Sequence, residues 1–309
     1  MDKQKAPYGA VVLVAAVCLV AAGAETAPTT RPAALRGLDA FYTQPVVVDG
    51  LVIAGSSKVS PRALREAAHL VRRLLAKRPD VLRALVRNGV RVGVMASTEM
   101  TRDIPEHSRL SPWWDKRARG LGGNPVTCGE ENLLAYRGDP YAGENIFIHE
   151  FAHIIHGRGL RSIDKTFEPR LRALYERARA SGRFRGYGMV NMSEFWAEGV
   201  QSWFDCNRAG GLAVVEGDAK APRQINTRSG MREYLPEFAA FLDAAFGQTT
   251  WTYVPVARRL GRAHLKGYDP SSAPTFRWPR AVIEAFRRIE ADKAARRRAD
   301  RAKRLKAAR

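Results

Sequence analysis

The pattern of hydrophobic and polar residues predicts a β-hairpin near the start of the folded chain. Residues 44–56 hold two runs rich in valine and isoleucine on either side of Asp49-Gly50, a pair that favours a tight turn. Ser60-Pro61 is typical of a helix start, because serine caps the first turn and proline fits its first position. Leucine and alanine then recur on one side of a helix to about Lys77, with arginine on the other side.

A second helix and a strand follow, before a long segment without a clear period. Pro79 marks the start of this helix and Asn88-Gly89 its end, and Val90 to Ala96 alternates as a strand does. Thr98 to Gly143 is irregular, but it contains two tryptophans and Tyr141, which argue against disorder. These aromatic side chains either line a substrate cleft or cap the core.

Two helices further along the chain are predicted to be buried. Residues 143–157 carry isoleucine and phenylalanine on nearly every side, and Asn191 to Phe204 is rich in aromatic residues. A basic amphipathic helix over Phe167 to Ser181 connects them, and further helices are predicted over Tyr234 to Phe246 and from Pro279 onwards.

Residues 1–24 have the three parts of a signal peptide. Lys3 and Lys5 precede an apolar run at Val11 to Ala22, and small residues at positions 22 and 24 suit a cleavage site. The run is short for a membrane span, which needs ~20 residues. Cleavage is therefore favoured over an uncleaved anchor, and the mature protein is expected to be secreted, periplasmic or at the cell surface, without a transmembrane span.

The charge balance is strongly basic, with 51 Lys and Arg against 31 Asp and Glu and a formal charge of +20. Such a chain is attracted to polyanions, for example an anionic polymer or surface, although charge alone predicts no specific nucleic-acid site. Basic residues dominate after Ala291, where the apolar stripe of the last helix stops. Residues 291–309 are therefore predicted to be a frayed or disordered basic tail.

The candidate chemistry lies in the first buried helix. His149, Glu150 and His153 form the motif H-E-x-x-H. Residues four apart share a helix face, so both imidazoles can bind one metal ion, and the Glu150 carboxylate lies beside them. Zinc hydrolases use this arrangement. The alternative is a buried helix with this spacing by chance, but buried histidine and glutamate need partners, which favours the metal.

A zinc site needs a third ligand. The extended motif H-E-x-x-H-x-x-G-x-x-H is absent, because residue 156 is histidine and residue 159 is glycine. His156 lies about 10 Å along the helix from His149, too far for three histidines to reach one ion, so it is predicted to be part of the pocket wall or a structural hydrogen-bonding residue. Glu194 and Glu198 share one face of the aromatic helix and are costly there unless they bind metal or its ligands. The alternative is a solvated face.

These motifs resemble a known family. F-I-H-E-F-A-H at Phe147 to His153 and Y-G-x-x-N-x-x-E-F-x-A-E at Tyr187 to Glu198 are similar to the catalytic domain of anthrax lethal factor and its bacterial relatives. That family consists of gluzincin-type zinc metallopeptidases. The tyrosine and the two glutamates keep the family's spacing of seven and then four residues. The rest of the chain shows no similarity to it, so the identity of the substrate does not carry over.

The resemblance implies a role for each matching residue. One Zn²⁺ ion would be bound by His149, His153 and Glu194. Glu150 would be the general base, and Tyr187 would donate a hydrogen bond to the developing oxyanion.

The resemblance also implies a zincin-like α+β fold, mainly helical with a small sheet over the active-site helix. Glu198 would orient a ligand histidine. An edge strand of the sheet would lie over the helix and pair with an extended substrate, and Val90 to Ala96 is the candidate for that strand.

Two cysteines remain after removal of the signal peptide. An even number in a secreted chain suggests a disulfide between Cys128 and Cys206, which would tie together the flanks of the two metal-bearing helices. The alternative is two free thiols.

We therefore expect a secreted zinc metallopeptidase that hydrolyses peptide bonds in a peptide or protein substrate. One alternative is a zinc amidase that acts on a non-protein amide such as a cell-wall cross-link. Another is a non-catalytic protein that binds polyanions or surfaces and retains the zinc site. The predicted organisation is a signal peptide (1–24), a lead-in with the hairpin (25–60), a zincin-like catalytic domain (61–290) and the basic tail (291–309).

Overall fold

The computed structural model describes residues 31–216 and 223–307, so the predicted signal peptide lies outside the described part of the chain. The fold is α+β: helices predominate and two small sheets accompany them. Within the described ranges, no helix is both long enough and apolar enough to span a membrane.

The main sheet has five strands in the order β1-β2-β3-β5-β4. The strands are β1 (Gln44–Val48), β2 (Leu51–Gly55), β3 (Arg91–Met95), β4 (Gly120–Leu121) and β5 (Val126–Gly129). Antiparallel pairing of β1 with β2 around Asp49-Gly50 confirms the predicted hairpin. β2, β3 and β5 are parallel, and β4 pairs antiparallel with β5 at the opposite edge.

The expectation that Val90 to Ala96 forms the edge strand over the active-site helix is wrong. This segment is a strand, but β3 lies between β2 and β5 in the middle of the sheet. The edge is β4, in a glycine-rich segment whose sequence indicated only turns and loops. β5 was also missed, because it lies in the long segment that lacks a clear period.

Most of the predicted helices are confirmed. Ser60 accepts a hydrogen bond from the backbone N–H of Arg62 at the start of the first helix, as its capping role requires. The predicted helix over Tyr234 to Phe246 is divided at Leu235-Pro236, because proline begins a new helix there. The helices are α1 (Pro61–Leu74), α2 (Pro79–Arg87), α3 (Trp114–Arg117), α4 (Glu130–Leu133), α5 (Ile146–Ile154), α6 (Arg161–Ile163), α7 (Phe167–Ala180), α8 (Met192–Trp203), α9 (Arg228–Tyr234), α10 (Pro236–Ala245) and α11 (Arg280–Ala307).

α5 and α8 pack against each other in the centre of the core. Phe147 and Phe151 of α5 and Phe195 and Trp196 of α8 are fully buried. The indole N–H of Trp196 donates a hydrogen bond of 2.7 Å to the backbone carbonyl of Ala152, which joins the two helices directly. These contacts hold the two motif-bearing helices side by side.

A smaller antiparallel sheet positions the segment between α7 and α8. Its strands are β6 (Phe184–Arg185), β7 (Ala213–Val215) and β8 (Arg223–Ile225), in that order. A 3₁₀ turn at Tyr187–Met189 follows β6, and the N–H of Gly188 in this turn donates to the carbonyl of Gly211. The turn therefore rests on the chain that leads into β7.

The predicted disulfide is absent, since Cys128 and Cys206 are both free and buried. Cys128 lies within β5, whereas Cys206 follows α8 and its thiol donates to the carbonyl of Gln201 at 3.4 Å. Burial raises the pKa of both thiols well above the usual range, so they remain protonated at neutral pH.

The basic C-terminal segment is also more regular than expected. α11 continues past Ala291 to Ala307 instead of fraying. Alanine and arginine have high helix propensities, and ion pairs such as Arg280 with Glu284 add to them. At its N-terminal half, α11 contacts α3 through Trp113, whose indole N–H donates to Glu290 at 2.6 Å.

Candidate active site

Three potential metal ligands converge between α5 and α8. The Nε2 atoms of His149 and His153 are 3.2 Å apart, and Glu194 Oε2 lies 3.2 Å from the former and 3.8 Å from the latter. Within the described residues, this trio is the one group of His, Cys, Asp or Glu side chains with metal-binding spacing. The structure thus brings together the three residues whose roles the sequence predicted.

Asparagine caps place both helices. Asn145 precedes α5 and accepts a hydrogen bond from the N–H of Ile148, and Asn191 precedes α8 and accepts one from the N–H of Glu194. Such caps satisfy backbone donors that the first turn of a helix leaves free. They also fix the register at which His149 and Glu194 face each other.

The other ring nitrogen of each histidine has its own partner. His149 Nδ1 is 2.9 Å from Gln201 Oε1, and the Gln201 amide nitrogen donates to the carbonyl of Asn145 at 3.0 Å. When the ring is neutral, the Gln201 oxygen accepts from Nδ1–H, and His149 Nε2 is left unprotonated and directed at the trio. His153 Nδ1 is 2.9 Å from Ser193 Oγ.

Gln201 and Ser193 were not predicted from the sequence, and Glu198 is more distant than the resemblance implied. Glu198 Oε1 lies 3.7 Å from His149 Nδ1. The other Glu198 oxygen accepts a hydrogen bond of 2.8 Å from the amide of Asn207. The nearest hydrogen-bond partner of His149 Nδ1 is thus Gln201, and Glu198 lies farther from this nitrogen.

The edge strand β4 and the residue after it, Gly122, lie directly against α5 because glycine has no side chain. A Cβ atom at Gly120 would stand 2.9 Å from Glu150 Cγ, and one at Gly122 would stand 2.7 Å from His153 Cβ. Both distances are below normal van der Waals contact. Only glycine allows the strand to approach this closely, and Leu121 between them lines the same cleft.

The burial of the site shifts the pKa values of its groups. Burial lowers the pKa of His149, but the carboxylates of Glu194, Glu150 and Glu198 raise it to about 9. Burial and the neighbouring His149 lower the pKa of His153 to about 4. Burial raises the pKa of Glu150 to about 7. Without a cation, the trio would therefore hold a proton on His149.

A metal ion fits these donors. Glu194 Oε2 is buried, faces both imidazoles and has no hydrogen bond of acceptable geometry. Two imidazole nitrogens and a carboxylate oxygen form a donor set typical of zinc, and three protein ligands leave a position open for water or substrate. Glu150 adjoins the trio without belonging to it.

Tyr187 lies at the rim of the same cleft and is 38% exposed. Burial of the remainder of its side chain, together with the Glu194 carboxylate, raises the pKa of its hydroxyl. The hydroxyl is thus a protonated hydrogen-bond donor at neutral pH. The Arg208 guanidinium lies 5.7 Å from the centroid of the Tyr187 ring, and its nitrogens lie 3.6 Å from Glu144 and 3.7 Å from Glu198.

The cleft has a volume of about 500 Å³. Trp114 and Tyr141 line it, so part of the aromatic content of the irregular segment belongs to the site, while Trp113 packs against α11. His156 lies outside the trio and does not line the cleft; it is buried, and its Nε2 is 3.8 Å from Glu168 without a hydrogen bond to the described residues. No protein-family model, curated protein or solved structure matches the chain.

Proposed function

We propose that the protein is a zinc metallopeptidase with a zincin-like catalytic domain, similar to the catalytic domain of anthrax lethal factor. The observation that carries this proposal is the convergence of His149, His153 and Glu194, with the Glu150 carboxylate in the same cleft. A helix with this motif could have been buried for packing alone. The Glu194 oxygen faces two imidazole nitrogens at 3.2 and 3.8 Å without a hydrogen bond, and a metal ion held between the three groups would account for this arrangement.

His149, His153 and Glu194 would hold one Zn²⁺ ion, which when bound supplies a Lewis acid and makes a neighbouring water more acidic. Glu150 accepts the proton of the attacking water and transfers it to the leaving amine. The Cγ atom of Glu150 packs against Gly120 of β4, and the residue lines the cleft.

Tyr187 donates a hydrogen bond to the substrate carbonyl oxygen as negative charge develops there. β4 is the free edge of the main sheet and borders the cleft, so an extended peptide can pair with its backbone. These two features favour a peptide or protein substrate. With the predicted signal peptide, we propose that the enzyme acts outside the cytoplasm, in secreted, periplasmic or surface-bound form.

Cleavage of a diverse peptide mixture by the zinc-loaded protein, read by mass spectrometry, tests this function. Glu150→Gln is the matched control, because it preserves shape and removes the base. We expect cuts in the wild type that the variant loses by several orders of magnitude, with one zinc ion retained in both. Equal cleavage by the two proteins would exclude Glu150 as the base. A protein with one zinc ion and no cuts would favour the amidase or binding alternatives.

A further inference from the structure

We propose that a second pocket, between α1 and residues 251–262, binds a small molecule that carries phosphate groups. The pocket has a volume of about 640 Å³ and shares no lining residue with the catalytic cleft. That volume lies in the range of small-molecule sites. Four of its lining side chains are arginines, accompanied by a histidine and a tryptophan: Arg73, Arg258, Arg259, Arg262, His69 and Trp251.

The charge of the pocket is unbalanced. None of the described residues that line it is acidic. Arg259 forms an ion pair with Glu66, whereas Arg73, Arg258 and Arg262 form none within residues 31–216 and 223–307. Three arginines without counter-charges therefore surround one concavity. Like charges in a common cavity repel, and a bound anion removes that repulsion.

One wall of the pocket is rigid. Glu66 is fully buried, and Arg259 binds both of its carboxylate oxygens, with Nη1 at 2.8 Å from Oε2. His264 Nε2 lies 2.8 Å from the same oxygen, and the His69 ring stacks on the His264 ring at 4.2 Å. An anion would therefore bind against a preorganised surface, which lowers the entropic cost of binding.

The chemistry of the lining favours phosphate. The planar fork of arginine matches the oxygens of phosphate groups, and several forks around one cavity suit a multiply charged anion. Arg73 lies over Trp251, 5.5 Å from the ring centroid, so a cation–π contact holds this arginine at the wall of the pocket. A pocket of this volume matches a small molecule, whereas a long polymer would require an extended groove.

Titration calorimetry with inorganic pyrophosphate tests this site, at constant ionic strength set by sodium chloride. The variants are Arg73→Gln and Arg262→Gln, both at exposed positions outside the core. The matched control is Arg288→Gln, an exposed arginine of α11 that does not line the pocket. Thermal unfolding of each variant without ligand shows whether the fold is retained.

We expect pyrophosphate to bind the wild type at a single site. Each pocket variant should lose about tenfold or more in affinity, because one charge-assisted hydrogen bond is removed, and the control should bind as the wild type does. An equal loss in Arg288→Gln would overturn the proposal, because binding would then reflect the overall positive charge. Binding of heparin or duplex DNA, but not of pyrophosphate, would overturn it in favour of an extended polyanion surface. Neither result depends on the peptidase proposal, since the two sites share no residue.

Discussion

Glycine at position 122 determines how closely the edge of the main sheet approaches the proposed metal ligands. Its absent side chain leaves just enough room for His153, whose Cβ would lie 2.7 Å from a Cβ at residue 122. The next residue, Gly123, has no such constraint, because a Cβ there would meet only the carbonyl of Pro125 at 3.7 Å. The two adjacent glycines therefore form a natural pair of test and control.

We predict that Gly122→Ala weakens zinc binding by about tenfold or more while the protein stays folded. The added methyl group must displace the His153 imidazole or push the strand away from α5, and either movement separates the ligands. Competition with a fluorescent zinc chelator measures the affinity. Gly123→Ala should bind zinc as the wild type does, and equal affinities in all three proteins would show that the contact does not matter.

A second prediction concerns the hydrogen bond that orients His149. Gln201→Leu should lower zinc affinity by about 10–100-fold, because it removes the acceptor that holds Nδ1–H and directs Nε2 at the metal. Glu198→Gln should have a smaller effect, since Glu198 lies 3.7 Å from the same nitrogen. The same chelator competition compares them. The reverse order would mean that Glu198 orients the ring, as the family resemblance implied.

The sequence could predict the ligands but not the residues that orient them. His149 and His153 are four apart on one helix, as are Glu194 and Glu198 on another, and that spacing has a physical meaning for a shared metal ion. Gln201 has no comparable signal, because an amide on a buried helix can pair with any nearby carbonyl or ring. Its role depends on the packing of α8 on α5, which places Gln201 beside His149.

At the scale of elements, long periodic segments were predictable and short ones were not. α1 and α7 repeat their apolar residues with a helical period, and α5 and α8 are apolar segments whose motif residues stand four apart, so the existence of these four helices follows from the sequence. β4 has two residues and β5 four, too few to show alternation, and glycine in β4 indicated a turn. The role of β4 depends on its contact with α5, which begins only at Ile146.

A buried ion pair holds the start of β4. The Arg119 guanidinium, directly before the strand, donates to both carboxylate oxygens of Glu131, at 2.6 and 3.0 Å, and neither side chain is exposed. The same guanidinium donates to the carbonyls of Ala96 and Glu99. These bonds join the strand to the end of β3 and to α4.

We predict that Arg119→Met lowers the free energy of unfolding by about 3–5 kcal/mol, because it leaves the Glu131 carboxylate buried without a partner. Urea denaturation measures the change. The double variant Arg119→Met with Glu131→Leu should recover much of the loss, since it removes the uncompensated charge as well. A single variant within about 1 kcal/mol of the wild type would contradict the prediction.

At the scale of the whole molecule, the α+β class and the convergence of the motif helices agree with the sequence. The contact between α1 and the segment before α11 was not predictable from the sequence. Glu66 on α1 pairs with Arg259 and His264, almost two hundred positions later, and thereby fastens the segment before α11 to the N-terminal half. Nothing in the local pattern around Glu66 distinguishes it from a solvated residue of an amphipathic helix.

This contact makes a prediction about stability and pH. Burial raises the pKa of Glu66, but His264 and Arg259 outweigh that effect, and the net pKa is lower than in the unfolded chain. The pair therefore stabilises the fold fully above the unfolded pKa of ~4.3, and the stabilisation is lost as pH falls through that value towards the folded pKa.

Glu66→Gln removes this dependence and should be less stable than the wild type by about 3–5 kcal/mol at neutral pH, because Arg259 is left buried without its partner. Urea denaturation of both proteins at about pH 7, 5 and 3.5 should show a constant difference between the first two conditions and a smaller one at the third. A difference that does not change down to the lowest pH would mean that folding leaves the pKa of Glu66 unshifted, and a difference that grows as the pH falls would mean that Glu66 is protonated in the folded protein.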